Sequence, residues 1–397
     1  MTPLLLTHYT ATSGLGRGCT ATLAALETGR GALRACHFDT AELDTQIAEV
    51  EGLGELRLPD ALKGYDCRNN RLALLALAQD RFDARVRARA AHWGPHRVGV
   101  FIGTTTSGIH HTEIAYRRRD PHTGSLPPQF DYRRTHNSFS VTDFVRRQLG
   151  LTGPAATVCT ACSSSAKVFA AAQRMLVAGL IDAAVVGGVD SLCLTTLYGF
   201  HSLQLTSSGP CRPFDAARDG LSIGEAAAFA LLERAPDSAA ADEILLLGTG
   251  ESSDAHHMSS PHPDGLGAAA AMRGALTAAH ASPGDIDYIN LHGTGTPSND
   301  SAESRAVAAV FGVATPCSST KGATGHTLGA AGALEAVISA LALRAGLMPG
   351  GVNTRCVDPT LPLNYLTAPR RARIARVLSN SFGFGGANCA LLLARAG

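Results

Sequence analysis

The chain has 397 residues, 45% of them hydrophobic, and a formal net charge of +1. That length supports a large core and either two domains or one duplicated unit. The near-neutral balance excludes the basic excess of a dedicated nucleic-acid binder.

In chain order, the N-terminal "MTPLLLTHYTATSG" has no basic n-region, so no secretory leader is expected. An apolar strand "VGVFIG" follows at 98–103 and ends in the small-residue turn "TTTSG". The strand "AATVCT" then leads to Cys162 and an Ala-rich helix, "TACSSSAKVFAAAQRMLVAGL". A glycine turn opens the next strand, "LSIGEAAAFALLER", before a small break, "APDSAAADE", at 235–243. The same order of elements then returns. "ILLLGTGESSD" answers "LLLTHYTATSGLG", "DYINLHGTGTP" answers "VGVFIGTTTSG", "TKGATGHTLGAAGALEAVISALALRAGL" answers the Cys162 helix, and "SFGFGGANCALLLARA" answers the closing strand. Alternating strands and Ala-rich helices read as an α/β fold in two similar halves, residues 1–235 and 236–397. The longest apolar run, "LEAVISALALRAGLM", is too short to span a membrane and contains Glu335 and Arg344. Ten cysteines spread over this length read as reduced thiols, which together with the missing leader predicts a cytoplasmic protein.

Cys162 stands where a helix begins, with Thr160, Ser163, Ser164 and Ser165 as capping hydroxyls. A thiol at a helix N-terminus gains thiolate character from the free N–H groups, yet a free cysteine is as often an inert core residue. The spacing Cys159-x-x-Cys162 lacks the second ligand pair of a zinc site and the context of a redox dithiol, so Cys159 reads as core. In the second half, His292 ends a strand, and Lys321 and His326 open a helix. If the halves are related by pseudo-symmetry, all four side chains converge on one pocket. Neither a Walker pattern nor G-x-G-x-x-G fits these turns.

Cys162 in "TACSSS", His292 in "HGTGTP", Lys321 and His326 in "TKGATGHTLGAAG", and "NSFGFGGAN" resemble the signature set of the β-ketoacyl-acyl-carrier-protein synthases, elongating type I/II. The likeness runs from about residue 95 onward, and the first 90 residues match more loosely. It implies a thiolase-like fold, a duplicated five-layered α-β-α-β-α architecture. It also implies decarboxylative condensation of an acyl group, held as a thioester on Cys162, with a malonyl unit on acyl carrier protein.

By that resemblance His292 and His326 stabilise the enolate, Lys321 supports His326, and Phe384 gates the acyl pocket while its N–H joins that of Cys162 as an oxyanion hole. Glu335 reads either as a structural partner of this network or as one end of a buried salt bridge. No cofactor or metal is expected, because the substrates arrive on the phosphopantetheine of the carrier. The histidine at the third position separates the chain from Cys-His-Asn enzymes, and the final glycine loop lacks a thiolase's second catalytic cysteine. A noncatalytic chain-length-factor-like subunit, the competing reading, would lack Cys162. Carrier docking is expected on Lys63, Arg68, Arg71, Arg133 and Arg134. The stretch "TTTSGIHH" departs from housekeeping elongases, which points to Thr106 in an acyl pocket for a more polar or conjugated chain, as in aryl-polyene pigment pathways. The family forms dimers through an extended sheet, here as a homodimer or with a synthase-like subunit.

Overall fold

The computed structural model describes residues 2–236 and 240–396; residues 237–239, inside the expected break, lie outside the described residues. The first half contributes strands β1 (Leu4–Ser13), β2 (Val98–Gly103), β3 (Ala155–Val158), β4 (Ala183–Asp190) and β5 (Ala226–Arg234). The second contributes β6 (Ile244–Ser253), β7 (Tyr288–Asn290), β8 (Pro316–Ser318), β9 (Arg376–Phe382) and β10 (Ala387–Arg395). The strand order is β3-β2-β4-β5-β1 in one half and β8-β7-β9-β10-β6 in the other. In both, the second strand pairs parallel with its two neighbours and the last two pairings are antiparallel. Among the described residues, the half-sheets join edge to edge at Leu4–Leu6 against Ile244–Leu246.

The main helices are α1 (Gly18–Thr28), α2 (Arg68–Leu77), α3 (Phe82–Trp93), α4 (Phe139–Gln148), α5 (Ser164–Val177), α6 (Leu266–Ala278), α7 (Pro297–Phe311) and α8 (Ala331–Ala345). They fill three layers around the two half-sheets. Alternate residues of β5 show how: Ala226, Ala228, Ala230 and Leu232 face a central core with α5 and α8, while Ala227, Phe229 and Leu231 face α2, α3 and α4. On the far side, Ala390 and Leu392 of β10 pack under α6 and α7. Strands covered on both faces need unbroken apolar runs, which is how these read in sequence. The layering is α-β-α-β-α.

The central layer explains the alanines. Every residue of α8 from Ala331 to Leu343 is buried, so the helix is packed on all sides and nearly all apolar, Glu335 and Ser339 excepted. The apolar run Leu328–Ala345 is long enough to cross a membrane, but 89% of it is buried between the sheets, where it serves as a core helix. The helix approaches α5 so closely that a Cβ on Gly332 would lie 2.6 Å from the Ala166 nitrogen and 2.7 Å from its Cβ. Gly103 at the end of β2 is likewise pressed on α5, its would-be Cβ 2.3 Å from the Ser165 nitrogen. Gly332→Ala is therefore expected to cost about 1–3 kcal/mol by overpacking. A lower denaturant midpoint at unchanged m-value would show it.

Candidate active site

The parallel strands of both halves point their carboxyl ends at one crevice, the usual place for a site in α/β sheets. Cys162 lies between β3 and α5, His292 follows β7, Lys321 and His326 lie between β8 and α8, and Phe384 lies between β9 and β10. Cys162, His292, His326 and Phe384 line one cavity with Phe200, Leu205, Leu221 and Phe382, and Lys321 sits directly behind His292. The convergence expected from the repeat is present.

The turn before Cys162 is a sharp elbow, with Ala161 at φ +52°. Its serines do something other than the expected capping: no side chain caps α5. Ser163 Oγ donates back to the Thr160 carbonyl at 2.9 Å and Ser164 Oγ to the Ala161 carbonyl at 2.6 Å, while Ser164 Oγ accepts the Thr160 N–H at 2.9 Å. Those bonds hold the strained elbow closed. Ser165 Oγ instead accepts the Ala333 N–H at 2.8 Å, tying α5 to the first turn of α8.

His326 Nε2 lies 3.0 Å from Cys162 Sγ, and the His292 and His326 rings meet edge to face with centroids 5.3 Å apart. Lys321 Nζ reaches the Glu335 carboxylate at 2.5 Å, the His292 carbonyl at 2.5 Å and His292 Nδ1 at 3.3 Å. An ammonium can only donate, so His292 Nδ1 accepts and its proton sits on Nε2. Both readings of Glu335 are met: it forms a buried salt bridge and partners the catalytic network. His326 Nδ1 is buried without a partner among the described residues. Its backbone is well held, with N–H to the Ser222 carbonyl at 2.7 Å and C=O from the Gly224 N–H at 3.0 Å.

Burial dominates the electrostatics. It pushes the Cys162 thiol up to about 12, against the pull of the Lys321 charge and the Phe384 backbone N–H; Asp190 and Glu335 push it further up. The thiol thus rests protonated, which corrects the expectation of a helix-activated thiolate. Burial also holds both imidazoles well below the ordinary histidine value, with Lys321 adding to the effect. Both histidines are neutral at physiological pH. The sulfur and the two rings offer donor atoms within 4.8 Å of one another, close enough for a metal ion, but the Lys321 ammonium beside His292 opposes a second cation. The Phe384 backbone N–H acts on the Cys162 thiol and lowers it, and the Phe384 ring packs on Phe200 at 5.7 Å, both lining the cavity.

Other expected residues fall differently. Thr106 is buried but is not among the residues lining the cavity: its hydroxyl donates to Asp190 at 2.9 Å, so it offers nothing polar to an acyl chain. Cys159 is exposed just beyond β3 instead of lying in the core. Arg68 is not a docking residue. Its side chain is 14% exposed and turns inward to the fully buried Glu225, at 2.8 and 2.5 Å, because that carboxylate needs a countercharge. Arg71 is locked on Asp66 at 2.6 Å through two nitrogens.

Arg133, Arg134 and Lys63 are exposed, and Arg134 rests against Gly64, beside Lys63. Arg133 and Arg134 line one cleft with Arg146 and Arg147 of α4, which the sequence motifs do not mark; Asp131 and Asp143 lie in the same cleft, Asp131 beside Arg134 at 3.6 Å and Asp143 paired with Arg146 at 2.8 Å and Arg147 at 2.9 Å. Glu303 was missed too. It accepts the N–H groups of His292 at 2.8 Å and Gly293 at 2.7 Å, and burial pushes its carboxyl up to about 7. Its position on α7 carries no motif signal beyond a polar residue on a helix that needs a partner.

Because Lys321 lowers the Cys162 thiol, replacing it should raise that thiol still further. Lys321→Met is expected to slow iodoacetamide alkylation of Cys162 at pH 8, about tenfold for every pKa unit by which the thiol rises. Neutral histidines predict that wild-type acylation shows no inflection near pH 6.5, the ordinary histidine value. A stopped-assay pH profile of acyl loading checks this.

Comparison with known proteins agrees with the geometry. Residues 68–238 match the family described as "Beta-ketoacyl synthase, N-terminal domain" and residues 244–355 its C-terminal domain. The mitochondrial 3-oxoacyl-[acyl-carrier-protein] synthase of Arabidopsis thaliana is 40% identical over 331 residues, 77% of this chain and 71% of that one. Synthase 2 of Rhizobium meliloti (strain 1021) is 37% identical over 75% of this chain and 74% of its own. Among solved structures, the ketosynthase ApeO in complex with its chain length factor ApeC, from Xenorhabdus doucetiae, superposes with a TM-score of 0.90 at 39% identity, covering 100% of this chain and 98% of the other. The chain belongs to the β-ketoacyl synthase family: it is a thiolase-fold acyltransferase of the Cys-His-His type that condenses acyl units in fatty acid or polyketide elongation.

Proposed function

We propose that this chain is the catalytic subunit of a two-subunit ketosynthase, with Cys162 carrying the acyl chain and a synthase-like, chain-length-factor partner completing the pocket. The observation that carries the catalytic part is the 3.0 Å contact of His326 Nε2 with the Cys162 sulfur inside a closed Lys321–Glu335–His292 network. A noncatalytic subunit has no use for it.

In acyl transfer, the incoming thioester oxygen sits between the Cys162 and Phe384 N–H groups. His326 Nε2 takes the thiol proton as sulfur attacks, and the pantetheine thiol leaves with it. In the second half-reaction the malonyl thioester oxygen accepts from His292 Nε2–H, whose tautomer Lys321 fixes. It accepts also from His326, whose partnerless Nδ1 leaves that ring free to carry its proton on Nε2. Carbon dioxide leaves, and the resulting carbanion attacks the acyl carbonyl on Cys162, which releases the sulfur. Lys321 and Glu335 position His292, and Phe384 gates the cavity. All of this runs without a bound cofactor, on substrates carried by phosphopantetheine.

Pairing with a synthase-like subunit is supported by the free edge of β3, which hydrogen-bonds to β2 on one side and offers its other side to a strand of like kind. It is supported also by the likeness to ApeO and to "the ishigamide ketosynthase/chain length factor", 28% identical with a TM-score of 0.89. The substrate proposal no longer rests on Thr106. Phe200, Phe382 and Phe384 around the cavity suit a flat conjugated or aryl-capped chain, in line with the resemblance to pigment-pathway enzymes. The carrier would dock on Lys63, Arg133, Arg134, Arg146 and Arg147. Ten unpaired thiols fit a cytoplasmic setting.

Cys162→Ala should abolish acyl loading by intact mass and carbon–carbon bond formation together; undiminished condensation would overturn the assignment. Carbon dioxide release from malonyl carrier separates condensation from plain acyl transfer, and a panel of saturated and aryl-enoyl carriers tests the chain. Equal turnover of both would remove the conjugated-chain proposal. Arg134→Glu is expected to raise the KM for carrier several-fold with kcat little changed, and the gap should narrow as salt screens the surface.

A further inference from the structure

Asp190, at the end of β4, is a fully buried carboxylate that the mechanism above does not use. It accepts the backbone N–H groups of Thr105 at 2.8 and 3.1 Å, Thr106 at 2.9 Å and Gly329 at 2.6 Å. It also accepts the hydroxyls of Thr104 at 2.7 Å, Thr105 at 2.6 Å and Thr106 at 2.9 Å. These partners are all uncharged, so the anion is held by dipoles alone. They come from both halves of the molecule: the three threonines close β2 of the first half, and Gly329 stands three residues after His326 in the second.

The fit at Gly329 is tight. A Cβ there would lie 2.8 Å from Asp190 Oδ2, and Leu328 beside it is held at φ +54°. Beyond the backbone bonds of His326 itself, this turn is what fixes the direction in which the His326 segment enters α8. The ring it carries makes no second hydrogen bond through Nδ1 among the described residues, so its aim depends on the backbone.

We propose that Asp190 is a positioning residue for the condensation: it clamps the Thr104–Thr106 turn to the His326 loop and so sets His326 against Cys162. The "TTTSG" turn is then part of the catalytic scaffold, built to neutralise this carboxylate. The role in condensation rests on the functional reading above; the effect on Cys162 does not.

The charged and titratable groups acting on the sulfur are Lys321, His292 and His326 from the second half, Glu335 on α8, and Asp190 from β4. Lys321 favours the thiolate, whereas Asp190 and Glu335 disfavour it. Removing the Asp190 charge should therefore make the thiol more acidic. In the purified full-length protein, Asp190→Asn is expected to alkylate at Cys162 several-fold faster at fixed pH near 8, because the removed charge disfavours the thiolate. Its kcat for condensation should fall at least tenfold with little change in KM.

Gly329→Ala presses a Cβ on Asp190 Oδ2 and moves the His326 turn but leaves the carboxylate charge in the protein, so kcat should fall without the faster alkylation of Asp190→Asn. Thr106→Val keeps the carboxylate but removes one of its donors; it should slow alkylation, the opposite sign, and it serves where the Asn variant does not fold. An Asp190→Asn protein with wild-type alkylation and wild-type kcat overturns the proposal, as does unchanged alkylation in Thr106→Val where only that variant folds. If wild type releases no carbon dioxide from malonyl carrier while Asp190→Asn still speeds alkylation, the functional reading fails and the action of Asp190 on Cys162 stands.

Discussion

The close contact of α5 with α8 is the constraint on which the site depends. Each helix follows a strand of its own half, and each is preceded by one catalytic residue, Cys162 or His326. The separation of sulfur and imidazole, 164 residues apart in sequence, is inherited from how near two helix starts can come. Gly332 against Ala166, Gly103 against Ser165 and Gly188 against the Ser165 side chain bring them together; a β-carbon at any of these positions would meet atoms closer than 3 Å. The alanine and glycine content that marks the chain is thus a geometric requirement of its chemistry. Ser165 accepting the Ala333 N–H adds a directional bond to a contact that is otherwise steric.

That same close packing buries Cys162, His292 and His326, and burial decides which chemistry is available. Burial favours the neutral form of each of these groups: the thiol keeps its proton and both imidazoles lose theirs. A thiolate–imidazolium pair would carry two charges at high cost, whereas a thiol beside a neutral base carries none until a substrate is present. Neutral imidazoles also suit the later step, since an N–H of modest acidity can stabilise an enolate oxygen without protonating it outright. Lys321 would upset this balance if left alone, and Glu335 at 2.5 Å offsets it. Removing one member of such a pair costs about 3–5 kcal/mol, which ties the site to the stability of the core.

The parts legible in the sequence were those set by chain order and by motif. The repeated strand-and-helix pattern placed His292, Lys321 and His326 opposite Cys162, and they meet there. What the sequence did not disclose was which way polar side chains turn. Ser163 and Ser164 sit where capping residues sit, yet they bond backward because the elbow at Ala161 leaves carbonyls nearer than the helix N–H groups. Arg68 looks like any surface arginine on an amphipathic helix, and only the position of Glu225, 157 residues away, draws it inside. Thr106 follows a strand whose end faces the site, but its hydroxyl is taken by a carboxylate on the neighbouring strand. Arg146 and Arg147 join the exposed arginines only through the fold of the long 118–138 loop. For Arg68 and Thr106 the deciding partner is distant in sequence and has no periodic signature, whereas for the serines it is the local backbone turn.

The missed partners share one trait. Asp190, Glu225, Asp300 and Glu303 are buried acids, each accepting backbone N–H groups from a loop at the edge of the site. An apolar residue could pack these places at lower cost, since burying a carboxylate is expensive even when it is bonded. It could not hold irregular loops, whose N–H groups have no strand or helix partner and are themselves costly to bury unpaired. A carboxylate meets several such donors at once and from different directions. At the strand ends the backbone must leave regular structure to reach the substrate, and there a buried acid is the smallest group that satisfies it. This chain therefore surrounds with buried carboxyl groups, some of them raised by burial, a site whose reaction passes through an anion, and Lys321 and the two histidine N–H groups are what set that anion apart from its surroundings.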